Sequence, residues 1–492
     1  MRRLAMMVWA VLSIVNTSAF AQSSTSSVSY TTPDRGGTII ETAGGTDALV
    51  VGYGRVQPST STSPSGVAIF GLRQNGVLVT EAGVPGMNAM LSGRTYAEVN
   101  GIINTGVAFA NPNSSPVVVS FNFTDQNGND FGQSSFALEG NAQMARFLDQ
   151  VPFNISGGFA GTFTFSASAP VAVIALRTIV NQRGEFLVTT QTVAQLPDTA
   201  SASALVMGHF ADGGGWQTRV ILVNTTDVAV SGTVQFYGQG SATVAASPIT
   251  LGVNGQVAAS FSYTIRARAS VKLETSGPLG VAAQVGSVRI TPGAGSASPA
   301  AFTVFSYTPA GVTVTETTVQ AQSPSIAFRT FVEVTSNTSQ AGALQSAIAI
   351  TNTSSTTATV NFELTSMTGA STGLTASLVV PASGHASRFV HELFPALGLP
   401  FRGILRVSSS SAVVPVSLRT RYNERGDFLI TTTPAANEAS ASTTSELIFP
   451  HIVDRGGYTT QFILFSGAAG QTSTGTLRFF AQNGQALNVN VR

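Results

Sequence analysis

The stretch IALRTIVNQRGEFLVTTQ, residues 174–191, returns as VSLRTRYNERGDFLITTT at residues 416–433, so that Arg177 meets Arg419 at an offset of 242. Both copies run from an apolar and β-branched segment through an Asn-x-Arg-Gly-acid turn into a second, Phe-Leu-Val/Ile-Thr-Thr. Strand-forming runs on either side of a glycine turn predict paired strands rather than a helix. The same offset carries GHFADGGGWQTRVIL from Gly208 onto PHIVDRGGYTTQFIL from Pro450. A second offset, 235, carries RTYAEV from Arg94 onto RTFVEV from Arg329, and the run around Phe70 onto that around Phe305.

These offsets divide the chain into two alternating domain types, A and B. Residues 1–21 read as a leader and 22–86 as a Ser/Thr-rich start plus the back half of a type-A domain. Residues 87–198 are type B, 199–320 type A, 321–440 type B, and 441–492 the front half of another type A. Runs such as Val118-Val119-Ser120-Phe121-Asn122-Phe123 and Gly161-Thr162-Phe163-Thr164-Phe165 place apolar side chains on one strand face. The one helical candidate is Ala386–Leu393, where Phe389 and Leu393 share a face. The fold class expected is therefore all-β, with each domain an aligned β-sandwich and tandem copies forming a rod or beaded array.

In strand rhythm and repetition, the chain resembles the tandem immunoglobulin-like and fibronectin type III-like modules of bacterial surface and secreted proteins. The resemblance implies an extracellular structural or adhesive role. The Cys…Trp…Cys signature of antibody-type domains is absent, because the chain has no cysteine.

The first residues predict export. Arg2 and Arg3 precede an apolar run, Leu4–Val15, too short to span a bilayer, and Ala19-Phe20-Ala21 supplies a small-residue cleavage pattern before Gln22. Charged residues make up only 10% of the 492, and the net charge is +1, which argues against nucleic acid as a partner. No later stretch predicts membrane insertion once the leader is cleaved. Lys272 is the sole lysine, which excludes a Lys–Asn isopeptide crosslink in every repeat.

The two terminal pieces together cover almost a whole type-A domain. SYTTPDRGGTIIETAGG from Ser29 matches SYTIRARASVKLETSGP from Ser262, so the chain starts in mid-domain and ends with the missing half. Half a sandwich exposes apolar faces and bare sheet edges. A chain cut from a longer array is one reading. The other is docking of one molecule's end on the next molecule's start, giving a head-to-tail fibre rather than a ring.

Few motifs suggest chemistry. His209, His385, His391 and His451 are too scattered to predict a converging metal site. Gly369-Ala370-Ser371-Thr372-Gly373 spells a nucleophile-elbow pattern, but lies in a loop between strands and lacks its counterpart in the other B copy. Asp125–Asp130 offers oxygen ligands without the bidentate Glu of a calcium loop, so a hairpin turn is expected. Arg425-Gly426-Asp427 occupies a predicted turn, where an exposed RGD could meet an integrin. Its repetition as Arg183-Gly184-Glu185 favours a structural turn. Trp216 and Tyr458 each follow a glycine loop at the entrance to a type-A domain, where an aromatic either stacks on a sugar or packs at the joint.

The function expected is a secreted or cell-surface structural or adhesive protein, self-assembling through its split ends, with no catalytic residue, metal or cofactor. The alternative is an extracellular carbohydrate-binding accessory protein. Partners expected are other copies of the chain, or surface glycans and proteins. The candidate ligand contacts are Trp216, Tyr458, Arg425, Gly426 and Asp427.

Overall fold

The alternating patterns become strands in a computed structural model that describes residues 23–59, 62–197, 201–440 and 444–492. The leader expected at 1–21 lies outside the described residues. The protein is all-β, its sheets antiparallel throughout. No described helix is long and apolar enough to cross a membrane.

The complete type-A domain is a sandwich of two four-stranded sheets. One runs Leu205–Asp212, Gln284–Pro292, Val230–Tyr237, Phe261–Ile265; the other runs Ser270–Glu274, Trp216–Val223, Ala300–Tyr307, Thr315–Gln320. Among these eight strands the first lies beside the sixth, and the second is in the opposite sheet. Immunoglobulin sandwiches instead keep their first two strands as neighbours. The immunoglobulin-like order is thus corrected: alternation decides which face of a strand is buried, not which strand lies beside it.

The type-B domains depart further from the expected sandwich. Each is a single curled eight-stranded sheet, built on one very long strand, Phe159–Val180 or Phe401–Tyr422. The first half of Phe159–Val180 pairs with Met90–Asn100 and Val117–Asp125, with Phe163 opposite Phe123. Its second half pairs with Ile103–Ala110 and Phe186–Gln191. The register breaks between Ser166 and Val171, and there the strand bends. Phenylalanines fill the curl, Phe109 lying edge-on to Phe165 at 5.1 Å. The predicted helix at 386–393 shrinks to Val390–Leu393. His385–Phe389 is taken up as a strand against Leu344–Asn352.

The two terminal pieces find each other within the one chain. Ser473–Ala481 inserts between Ser27–Thr32 and Val50–Pro58, while Leu447–Asp454 covers the far side of Val50–Pro58. In the second sheet Tyr458–Phe465 lies between Gly37–Glu41 and Ser65–Gln74. The result has the strand order of the intact type-A domain, entered halfway through. In place of the expected rod, four domains, A-B-A-B, close into a cycle.

The cycle is held at a hub to which each domain sends one strand: Val77–Pro85, Phe186–Gln191, Thr315–Gln320 and Phe428–Thr432. Threonine hydroxyls link neighbouring domains here in place of a backbone ladder. Thr80 Oγ1 accepts from Val188 N–H at 3.3 Å, and its counterpart Thr315 Oγ1 accepts from Ile430 N–H at 3.1 Å. Thr190 and Thr432 hydroxyls donate to the carbonyls of Gly83 and Thr318. Nor does each domain keep a core to itself. The core around Phe210 and Phe236 runs on into Ala349, Val416 and Leu418 of the next domain.

Candidate functional site

Two kinds of joint alternate around the cycle. Joints from B to A carry buried ion pairs, placed by the repeated LRT and acidic strand positions. Arg177 joins Glu98 at 3.0 Å and Glu316 of the next domain at 2.9 Å, and Lys272 and Arg219 add second cations to these acids. Its counterpart Arg419 joins Glu333 of its own domain and Glu81 of the terminal domain. Burial raises the pKa of Glu316 and Glu333, but the neighbouring guanidinium groups outweigh it and hold both below the usual carboxylate range.

The joints from A to B are apolar, and each opens into a cleft. One, of about 380 Å³, is lined by Phe70, Arg146, Phe147, Phe186, His451 and Tyr458. The other, of about 470 Å³, is lined by Phe305, Arg388, Phe389, Phe428, His209 and Trp216. Position by position these are the same residues under the repeat, so a single cleft occurs twice. Both volumes fall within the roughly 300–1,000 Å³ of small-molecule sites. The glycine loop after Asp212 sets Trp216 at the start of its strand, half-buried, one face stacked on Tyr307 at 4.4 Å. Tyr458 holds the matching place, opposite Leu72. Each aromatic thus packs at the joint and also forms a cleft wall.

A histidine closes the base of each cleft. His209 Nδ1 lies 3.2 Å from His385 Nε2, and His385 Nδ1 lies 3.1 Å from Thr351 Oγ1. The Thr351 hydroxyl donates to the Gly208 carbonyl at 2.9 Å, so it accepts from His385 Nδ1–H. His385 Nε2 is then left to accept from His209 Nδ1–H, which makes a chain of two neutral imidazoles. Gly208 has no room for a side chain, since a Cβ there would meet Val416 Cγ2 at 2.8 Å. At the other joint Gln143 Nε2 donates to His451 Nδ1 at 3.2 Å, an amide replacing one ring. Burial pushes His209 and His451 down to about 4. His385 is lowered too, by burial first and then by its neighbour His209.

The pairing of His209 with His385, 176 residues apart, is absent from the sequence reading. Its only trace was that His385 aligns with Gln143, another polar residue at a buried position. His391 stacks on Phe389 instead. Among the described residues no group of three or more His, Cys, Asp or Glu could hold a metal.

The remaining motifs serve the joints. The turns at Arg183-Gly184-Glu185 and Arg425-Gly426-Asp427 meet across the cycle. Arg183 pairs with Asp427 at 2.8 Å and Arg425 with Glu185 at 2.5 Å. The acids thus pair chiefly between turns, and Arg425-Gly426-Asp427 is occupied by its counterpart. Asp125 Oδ1 accepts from Asn127 and Asn129 N–H, forming a hairpin turn, and Asp130 meets Arg268 of the next domain at 3.2 Å. Gly369, with φ at +82°, packs against the Asp34 carbonyl of the terminal domain.

No protein-family model matches the sequence, and no curated protein matches it. Among solved structures, Thermotoga maritima 1070 is 10% identical with a TM-score of 0.19, the match covering 22% of this chain and 96% of that one. An archaeal virus turret protein with a triple jelly roll fold is 10% identical, TM-score 0.12, covering 85% and 90% of the two chains. The VP2 subviral particle protein of infectious bursal disease virus is 8% identical, TM-score 0.11, covering 82% and 83%. Likenesses of this size assign the chain to no family.

Proposed function

We propose that the protein is an exported, non-catalytic adhesive protein that binds saccharides in its two repeated clefts and so bridges two glycan-bearing surfaces. The observation that carries this reading is the recurrence of one aromatic-walled cleft at both A-to-B joints, with Trp216 in one and Tyr458 in the other. A flat aromatic beside a polar rim suits the apolar face and hydroxyl edge of a sugar ring. Two clefts on one rigid cycle supply bivalency, which raises the hold on a surface without any new contact. The ion-paired joints and threonine hub act as scaffold, and no reaction centre is assigned.

The test is a glycan array with wild-type protein, Trp216→Ala, Tyr458→Ala and the double variant. Each single variant is expected to lose the glycans held by its own cleft, and the double variant to lose all retention. Absence of any glycan signal with wild type would sink the proposal.

A further inference from the structure

The two clefts match in shape but not in charge. Each has an exposed arginine at its rim, Arg146 or Arg388, on the strand that packs beside the histidine. Among the described residues neither pairs with an acid; their side chains donate only to the carbonyls of Ala145 and Ser387. This sets them apart from the joint arginines, whose carboxylate partners are in place. Four residues further along, the copies differ. Gln150 lines the Tyr458 cleft and Glu392 lines the Trp216 cleft.

Both of these side chains do the same structural work. Gln150 Oε1 accepts from Phe147 N–H at 3.2 Å, and Glu392 Oε2 accepts from Phe389 N–H at 2.8 Å. Their difference is therefore one of charge, not of local architecture. With the base histidine neutral, Arg146 is the one charged side chain among the residues lining the Tyr458 cleft, Asp149 lying outside that lining. In the Trp216 cleft Glu392 cancels Arg388.

From this asymmetry we infer that the Tyr458 cleft binds a carboxylate-bearing sugar, such as a uronic or sialic acid unit, and the Trp216 cleft a neutral one. A guanidinium meets a carboxylate through paired, charge-assisted hydrogen bonds, which a neutral hydroxyl edge cannot match. Glu392 repels that carboxylate in the other cleft. The inference rests on the saccharide reading of the clefts and adds the chemical class of each ligand.

The experiment is an array on which each uronic- and sialic-acid glycan is printed beside its own methyl ester, which removes the charge and adds one methyl group. Wild type is expected to prefer acids to their esters. Arg146→Gln and Gln150→Glu should each reduce that preference about tenfold, the loss of one charge-assisted contact. Tyr458→Ala should abolish it and Trp216→Ala should leave it. Glu392→Gln should create a second acid-preferring cleft and raise acid retention. Equal retention of acids and esters by wild type, or a preference that survives Arg146→Gln, overturns the charge assignment while the saccharide reading stands. Retention of no glycan overturns both.

Discussion

Arg177 and Arg419 each bridge two buried carboxylates on different domains, and such groups tolerate the loss of one member badly. Arg177→Ala should cost about 3–5 kcal/mol, because Glu98 and Glu316 stay buried with only Lys272 and Arg219 to compensate. Urea unfolding checks this. The same residues set the response to acid. Glu316 and Glu333 have folded pKa values below the ordinary 4.5, so they contribute stability above that pH and lose it as pH falls through the folded values. The histidines act earlier. His209 has a folded value near 4 against 6.5 when unfolded, so between those limits the unfolded chain binds more protons and stability is lost as the pH drops. A proton on His385 Nε2 would also face the His209 N–H. His385→Gln copies the amide at Gln143 and should remove His385's share of the loss between pH 6.5 and 4, leaving that of His209 and His451 and the drop below 4.5; thermal melts across pH 4–7 measure both.

At the scale of elements, the hub strands lack a backbone ladder between domains and depend on threonine hydroxyls. Thr80→Val and Thr315→Val keep shape but remove the acceptors for Val188 and Ile430 N–H. Each should destabilise by about 1–3 kcal/mol, the cost of an unsatisfied buried donor. Hydrogen exchange at those two amides should quicken more than exchange inside the sheets. The long strands Phe159–Val180 and Phe401–Tyr422 show why element boundaries are hard to read. In Phe159–Val180 alternation runs on through Ala167-Ser168-Ala169-Pro170, whereas Val171–Leu176 is an unbroken apolar run, so no single pattern marks the strand. Only curling of the sheet makes one strand of the two halves.

For the whole molecule, the interleaved terminal domain predicts that the full chain is a monomer. Removing residues 444–492 takes away the strands between and beside those of the N-terminal piece, baring sheet edges on both sides. That truncated chain should self-associate or aggregate, and light scattering beside the full chain measures it. Returning residues 444–492 as a separate peptide should restore the monomer-sized species. Monomeric behaviour of the truncated chain would contradict the interleaving.

The sequence by itself determined the strands, the face each one buries, the A-B-A-B rhythm and the complementarity of the two ends. All of these follow from local alternation and from self-similarity. Trp216 and Tyr458 were legible as equivalent aromatics for the same reason. Tertiary structure alone decided that the ends meet within one chain, that His209 faces His385, and that the RGD turn meets its own counterpart. It also decided that each equivalent aromatic lines a cleft with an arginine. These facts concern elements far apart along the chain, where period-two patterning specifies that a surface must be covered but not which surface covers it.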